Sequence, residues 1–175
     1  MAAYEPAFEK MIINEGGYKL VNIPGDSGGQ TFAGIARNYH GSWKGWNYID
    51  SNDLTNPKLI NSVKSFYKSK FWNLINGDKI NNQKIAEFIF DFAVNAGVRT
   101  SAKIAQGIIN AEMDGVIGPK TLAKLNNYDS EKFLLKFALA KVSRYAQICN
   151  KNKTQSKFLL GWINRTIKEI DLNVI

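Results

Sequence analysis

Glu15 and Asp26 flank a glycine-rich run, NEGGYKLVNIPGDSGGQTFAGIA over residues 14–36, in a chain that otherwise reads as amphipathic helix. Two acids at one cleft suit cleavage of a glycosidic bond. One protonates the leaving oxygen, while the other holds a water or stabilises positive charge at the sugar carbon. Phe8, Met11, Ile12 and Glu15 recur at helical spacing, so Glu15 extends the apolar stripe of its helix by one turn. Its carboxylate should then point to the core side, where partial desolvation raises a carboxyl pKa. The negative end of the helix dipole acts in the same sense. The plainer reading is a helix-end Glu hydrogen-bonded to the next loop.

Asp26 sits in PGDSGG, where Asp is also a common turn residue. Thr31 follows at a distance that would set its hydroxyl beside the water, or cap a short helix over FAGIA, or both. Gly28, Gly29 and Gly34 permit close approach of backbone to ligand, or simply positive φ angles in turns. Gly28, Gly29 and Gln30, together with Tyr18, are candidate substrate contacts. Glu87, Asp91 and Asn95 form a second polar line at i, i+4 and i+8, read either as a solvated helix face or as a cleft lining. Asp91 and Asn95 are carried as substrate-binding candidates. Trp43, Trp46 and Tyr48 either stack on sugar rings or form a satellite core.

The elements that must position these groups are mostly helical. The first helix ends at Gly16-Gly17, a C-cap signal. One or two short strands follow over YKLVNIPGDSGGQT, then a short helix over FAGIARNY and a loop over GSWKGWNYIDSNDLTN. A helix starting near Pro57 turns Ile60, Val63, Tyr67 and Phe71 inward. The most apolar helix, NNQKIAEFIFDFAVNAGV, carries apolar residues all round and should be central. Helices are expected over 100–111, 118–127, 130–149 and 156–171. In the third of these Leu135, Ala138, Leu139, Val142, Ala146 and Cys149 form the inward stripe. The turn near Gly97 is a candidate subdomain boundary.

Composition bounds the function classes. The 175 residues suit one compact domain, and 45% hydrophobic content is ordinary globular material. No stretch approaches the ~20 apolar residues of a membrane span, and the start lacks the basic and apolar regions of a secretory signal. Cys149 alone excludes an internal disulfide framework and reads as buried packing. His40 is the only histidine, so histidine metal clusters and Ser-His-Asp triads lack parts, and no phosphate-cradling glycine loop occurs. No cofactor or metal is expected. The net charge of +8 favours a polyanionic partner. A nucleic-acid binder would need its lysines on one helix face, and here they are scattered.

EGGY followed by DSGGQTFAGI closely resembles the N-acetylmuramidases of glycoside hydrolase family 108, which include the bacterial secretion-activator proteins. FDFAVNAG and DGVIGPKTL resemble the predicted peptidoglycan-binding half of such proteins, and GWINR at 161–165 their closing segment. The likeness runs from about residue 7 to 170. It implies a lysozyme-like, mostly α fold with a short Gly-rich β-hairpin or loop near the N-terminus. It also implies one compact domain over 1–175, segmented as a muramidase half at 7–96 and a peptidoglycan-binding half at 97–171. Glu15 is implied as the catalytic acid, and Glu15, Asp26 and Thr31 resemble the trio of phage-type lysozymes at a different spacing.

The expectation is thus a peptidoglycan hydrolase that cuts the β-1,4 bond after N-acetylmuramic acid. Its alternative is a non-catalytic peptidoglycan-binding or secretion-accessory protein. The expected partners are glycan strands and a holin-like or export partner, with no nucleic acid and no stable membrane insertion, for a monomer. Synthesis is expected in a bacterial or phage-infected cytoplasm, with action at the wall or periplasm.

Overall fold

The computed structural model describes residues 1–22 and 27–170. The fold is mostly α. Among the described residues there are eight α-helices and one three-stranded antiparallel sheet. None of these helices is long and apolar enough to cross a membrane. The chain divides into two compact units, Ala3–Asn73 and a second built from Leu74 onward together with Met1–Ala2.

The first unit opens with α1 (Tyr4–Asn14), which buries Tyr4, Ala7, Phe8, Met11 and Ile12. The helix stops as its sequence predicts. Gly16 and Gly17 take φ +89° and +76°. The Gly17 amide donates to the Ile12 carbonyl at 2.9 Å and the Gly16 amide to Ile13 at 3.1 Å, the paired bonds of a Schellman motif.

Strands β1 (Leu20–Val21), β2 (Thr31–Phe32) and β3 (Ile35–Ala36) form the sheet in that order, with Val21 opposite Thr31 and Phe32 opposite Ile35. FAGIA is therefore not a helix. Ala33 and Gly34 form a two-residue loop, both with positive φ, and such loops match the twist of a β-hairpin. The hairpin buries Phe32 and Ile35 almost completely.

The WKGWNYID segment, expected as loop, contains α2 (Trp46–Asp50), with Trp46 and Ile49 buried. In α3 (Pro57–Tyr67) Asn56 caps the start by accepting from the Lys58 amide at 2.8 Å. Its inner face is Leu59, Val63 and Tyr67 rather than Ile60. A π-type turn, Lys68–Trp72, follows directly. It spaces the next inward residue five positions on, so fully buried Trp72 replaces the expected Phe71. Trp72 packs against Tyr4, and Tyr67 against Phe8.

The second unit holds α4 (Gln83–Ala96), α5 (Val98–Ile108), α6 (Pro119–Asn126), α7 (Ser130–Lys151) and α8 (Leu159–Glu169). Asn82 and Asp129 cap α4 and α7 through their side chains. As expected, α4 is central, burying Phe88, Ile89, Phe90, Asp91 and Phe92. The Gly97 turn joins α4 to α5 inside this unit, and the two compact units divide after Asn73.

The expected stripe on α7 is shifted. Leu135 and Leu139 are 51% and 69% exposed, and Ala146 also faces outward. The inward line is Phe133, Phe137, Lys141, Tyr145 and Cys149. Phe137 meets Phe88 and Phe92 edge-on, and these aromatic contacts outweigh the smaller apolar residues on the adjoining face.

Candidate active site

The Schellman motif that ends α1 leaves Glu15 at the C-cap, half-buried, beside the hairpin. Glu15 lines a cavity of 370 Å³ together with Gly16, Lys19, Val21, Gly29, Thr31 and Gly34. Three expected residues, Glu15, Gly29 and Thr31, thus come together.

Gly34 is required by closeness as well as by its positive φ. A Cβ there would lie 2.5 Å from the Tyr67 hydroxyl and 3.2 Å from Glu15 Oε2. Tyr67 is buried and donates its hydroxyl proton to the Ala33 carbonyl at 2.8 Å. Burial raises its pKa strongly, and the Glu15 charge adds to the shift. The phenol therefore stays protonated, its proton held by the Ala33 carbonyl close to Glu15. The sequence suggested an inward Tyr67 but not this role, because the contact joins residues far apart in the chain. Lys19, also unanticipated, brings a cation to the same cavity.

Thr31 lies in β2 and its hydroxyl donates to the Gly29 carbonyl at 3.2 Å. It caps no helix, since none follows it. Gly29 has φ +66°, and a Cβ on it would press on the Asn38 side chain at 2.9 Å. Asn38 in turn donates to the Ser27 carbonyl, while its backbone amide binds buried Gly28. Gln30 Oε1 accepts from Arg37 at 2.6 Å, and Arg37 also pairs with Asp50. Gly28 and Gln30 therefore brace the hairpin rather than line the cavity. Tyr18 is 39% exposed with its ring 6.5 Å from Phe32. Asp26 lies outside the described residues. Trp46 is buried, its indole donating to the His40 carbonyl, so it belongs to a satellite core.

The second polar line separates by environment. Gln83 donates to Glu87, Asn95 is exposed, and Asp91 is buried against Arg165 of α8 at 2.7 Å. Lys141, 1% exposed, holds Glu169 at 2.5 Å beside this pair. Burial alone would raise the Asp91 carboxyl, but the charge and hydrogen bond of Arg165, together with the Lys141 charge and a hydrogen bond from Glu169, hold it low. Burial and the Asp91 charge push Glu169 up to about 7 against the pull of Lys141. Asp91 is thus part of a buried ionic cluster, correcting the solvated-face reading and engaging the carboxylate offered as a substrate contact. A lysine within the apolar spacing of α7 was the available signal.

In DGVIGPKTL, buried Gln106 donates to Asp114 and to the Val116 carbonyl and accepts from the Gly115 amide. These bonds fix the turn ahead of α6.

The glycosyl hydrolase 108 family model matches residues 8–97, about half of the chain, and a predicted peptidoglycan domain matches residues 100–167. The solved structure of SagA from Brucella abortus is similar at TM-score 0.73 and 25% identity, covering 96% of this chain and 91% of that one. No curated protein matches. These matches join a glycosyl hydrolase family segment to a predicted peptidoglycan segment in one chain. The chain belongs to the glycosyl hydrolase 108 family, and its role is in hydrolysis or binding of peptidoglycan at the cell wall.

Proposed function

We propose that the protein is an N-acetylmuramidase of lysozyme type, cutting the β-1,4 bond between N-acetylmuramic acid and N-acetylglucosamine. The observation that carries this reading is Glu15. It is the acidic residue among the described lining of the 370 Å³ cavity, set at a helix end by a Schellman motif with the Tyr67 hydroxyl close by. Glu15 donates its proton to the glycosidic oxygen as the bond to the sugar carbon breaks, and a water oxygen then bonds to that carbon. Asp26, aided by Thr31, positions the water or stabilises the oxocarbenium-like state. The carboxyl separation sets the stereochemistry, roughly 6.5–9.5 Å for inversion and about 5–5.5 Å for retention. Gly29 brings backbone close to the sugar, with Tyr18 as an outer contact.

The test is digestion of purified peptidoglycan by wild type and Glu15→Gln, with mass spectrometry of borohydride-reduced products. Fragments ending in reduced N-acetylmuramic acid from the wild type alone are expected. If neither protein releases fragments while both sediment with sacculi, the protein binds the wall without cutting it.

A further inference from the structure

A second cavity in the first unit, 580 Å³ in volume, shares no lining residue with the Glu15 cavity. Its walls include the aromatic side chains of Tyr39, His40, Trp43 and Phe66, and its rim carries Lys44 and Lys70. The rings are ordered: His40 meets Phe66 edge-on at 4.8 Å, and the Trp43 indole donates to the Ser62 carbonyl. Ser42, Ser65 and Ser69 add hydroxyls, and no carboxylate is among the described lining residues. Arg37 and Lys64 of the same unit are paired with Asp50 and Glu5. By contrast, neither Lys44 nor Lys70 has a carboxylate partner among the described residues.

Ordered aromatic faces, hydroxyls and two uncompensated cations in one concavity suit a sugar ring bearing negative charge. The two cavities are also physically linked. Phe66 lines one while its neighbour Tyr67 lies close to Glu15 in the other, and Phe32, next to Thr31, stacks on Trp43.

We propose that this cavity is a separate holding site for an anionic saccharide of the cell wall, engaged while the Glu15 cavity takes the bond to be cut. The ligand class rests on the peptidoglycan reading of the first cavity, but the site itself does not depend on catalysis. The negative charge comes either from stem-peptide carboxylates or from a phosphate-bearing wall polymer.

The experiment measures calorimetric affinity of full-length Glu15→Gln, with and without Lys44→Gln/Lys70→Gln. The probes are soluble uncross-linked peptidoglycan chains, a glycerol-phosphate wall polymer and neutral chitotetraose. The lysine pair is exposed, so the double variant should keep the parent's thermal midpoint. A loss of roughly three- to tenfold for one anionic probe, with chitotetraose unchanged, is expected for two solvent-facing charge contacts. The probe that loses affinity names the source of charge. Tyr39→Ala, at a side chain 64% exposed, should weaken the same probe. Equal affinities with and without the lysines for both anionic probes would overturn the proposal. If wild type releases no fragments yet the lysines govern binding, the holding site stands and the muramidase reading falls.

Discussion

Gly34→Ala tests whether the geometry behind Glu15 is as tight as described. At φ +78° an L-residue is strained by about 1–2 kcal/mol. The added Cβ also meets the Tyr67 hydroxyl at 2.5 Å, and that hydroxyl sits on a rigid, buried ring. Moving the ring breaks its bond to the Ala33 carbonyl, and a buried polar group left without its partner costs about 1–3 kcal/mol. Reduced freedom of the unfolded chain offsets about 0.4–1 kcal/mol. The sum is a loss of roughly 1–5 kcal/mol. Gly17→Ala is the matched control, since Gly17 has φ +76° in the same unit with nothing within 4 Å of its Cβ. Urea unfolding should place Gly34→Ala below Gly17→Ala by about 1–3 kcal/mol at unchanged m-value. Because Glu15 Oε2 would be only 3.2 Å from the new methyl, peptidoglycan hydrolysis should also fall more than in the control. Equal stabilities and equal rates for the two variants would refute the packing argument.

Tyr67→Phe removes only the hydroxyl bonded to Ala33, so it should cost about 1–3 kcal/mol and lower kcat with little change in KM, as for a residue that positions the hairpin beside Glu15. Glu169, raised from 4.5 to about 7, binds its proton more tightly in the folded state. The stability this confers is complete below pH ~4.5 and is lost as pH rises through 7. Chemical denaturation of the wild type should therefore weaken over that range by up to about 3 kcal/mol, and Glu169→Gln should flatten the slope. Lys141→Met strands the Glu169 carboxylate and should cost about 3–5 kcal/mol, whereas Lys141→Met/Glu169→Leu should cost less, measured by thermal melts at pH 8.

Local chemistry was readable wherever it was self-contained. Glu-Gly-Gly specified its own helix end, because the glycines alone provide the positive φ and the acid falls where the helix stops. The apolar-all-round pattern of α4 specified a central helix. Reading failed where a distant partner decided the outcome. FAGIA has helical composition, yet pairing with β1 and the pocket for Phe32 make it a hairpin. On α7 the small aliphatic residues suggested one face, while Phe88 and Phe92 of α4 select the neighbouring aromatic face and bring Lys141 inside. The stripe of α1 suggested the helix-end position of Glu15, but Tyr67 comes near it only through the return of α3. The ionic partners of Asp91 lie on α7 and α8, beyond any local window.

The π-type turn at Lys68–Trp72 makes this part of the chain sensitive to length as well as composition. Each residue of an α-helix advances the side-chain direction by about 100°. Ordinary winding over these same residues would turn the Trp72 ring away from Tyr4 by about that angle, whereas deleting one of residues 68–71 would let ordinary winding return with the tryptophan four positions after Tyr67, still facing inward. An alignment that treats this stretch as a plain helix would place Phe71 where Trp72 belongs. The extra residue works as a phase adjustment, and sequences that pack the same aromatic pair should carry or lack it together with the position of their tryptophan.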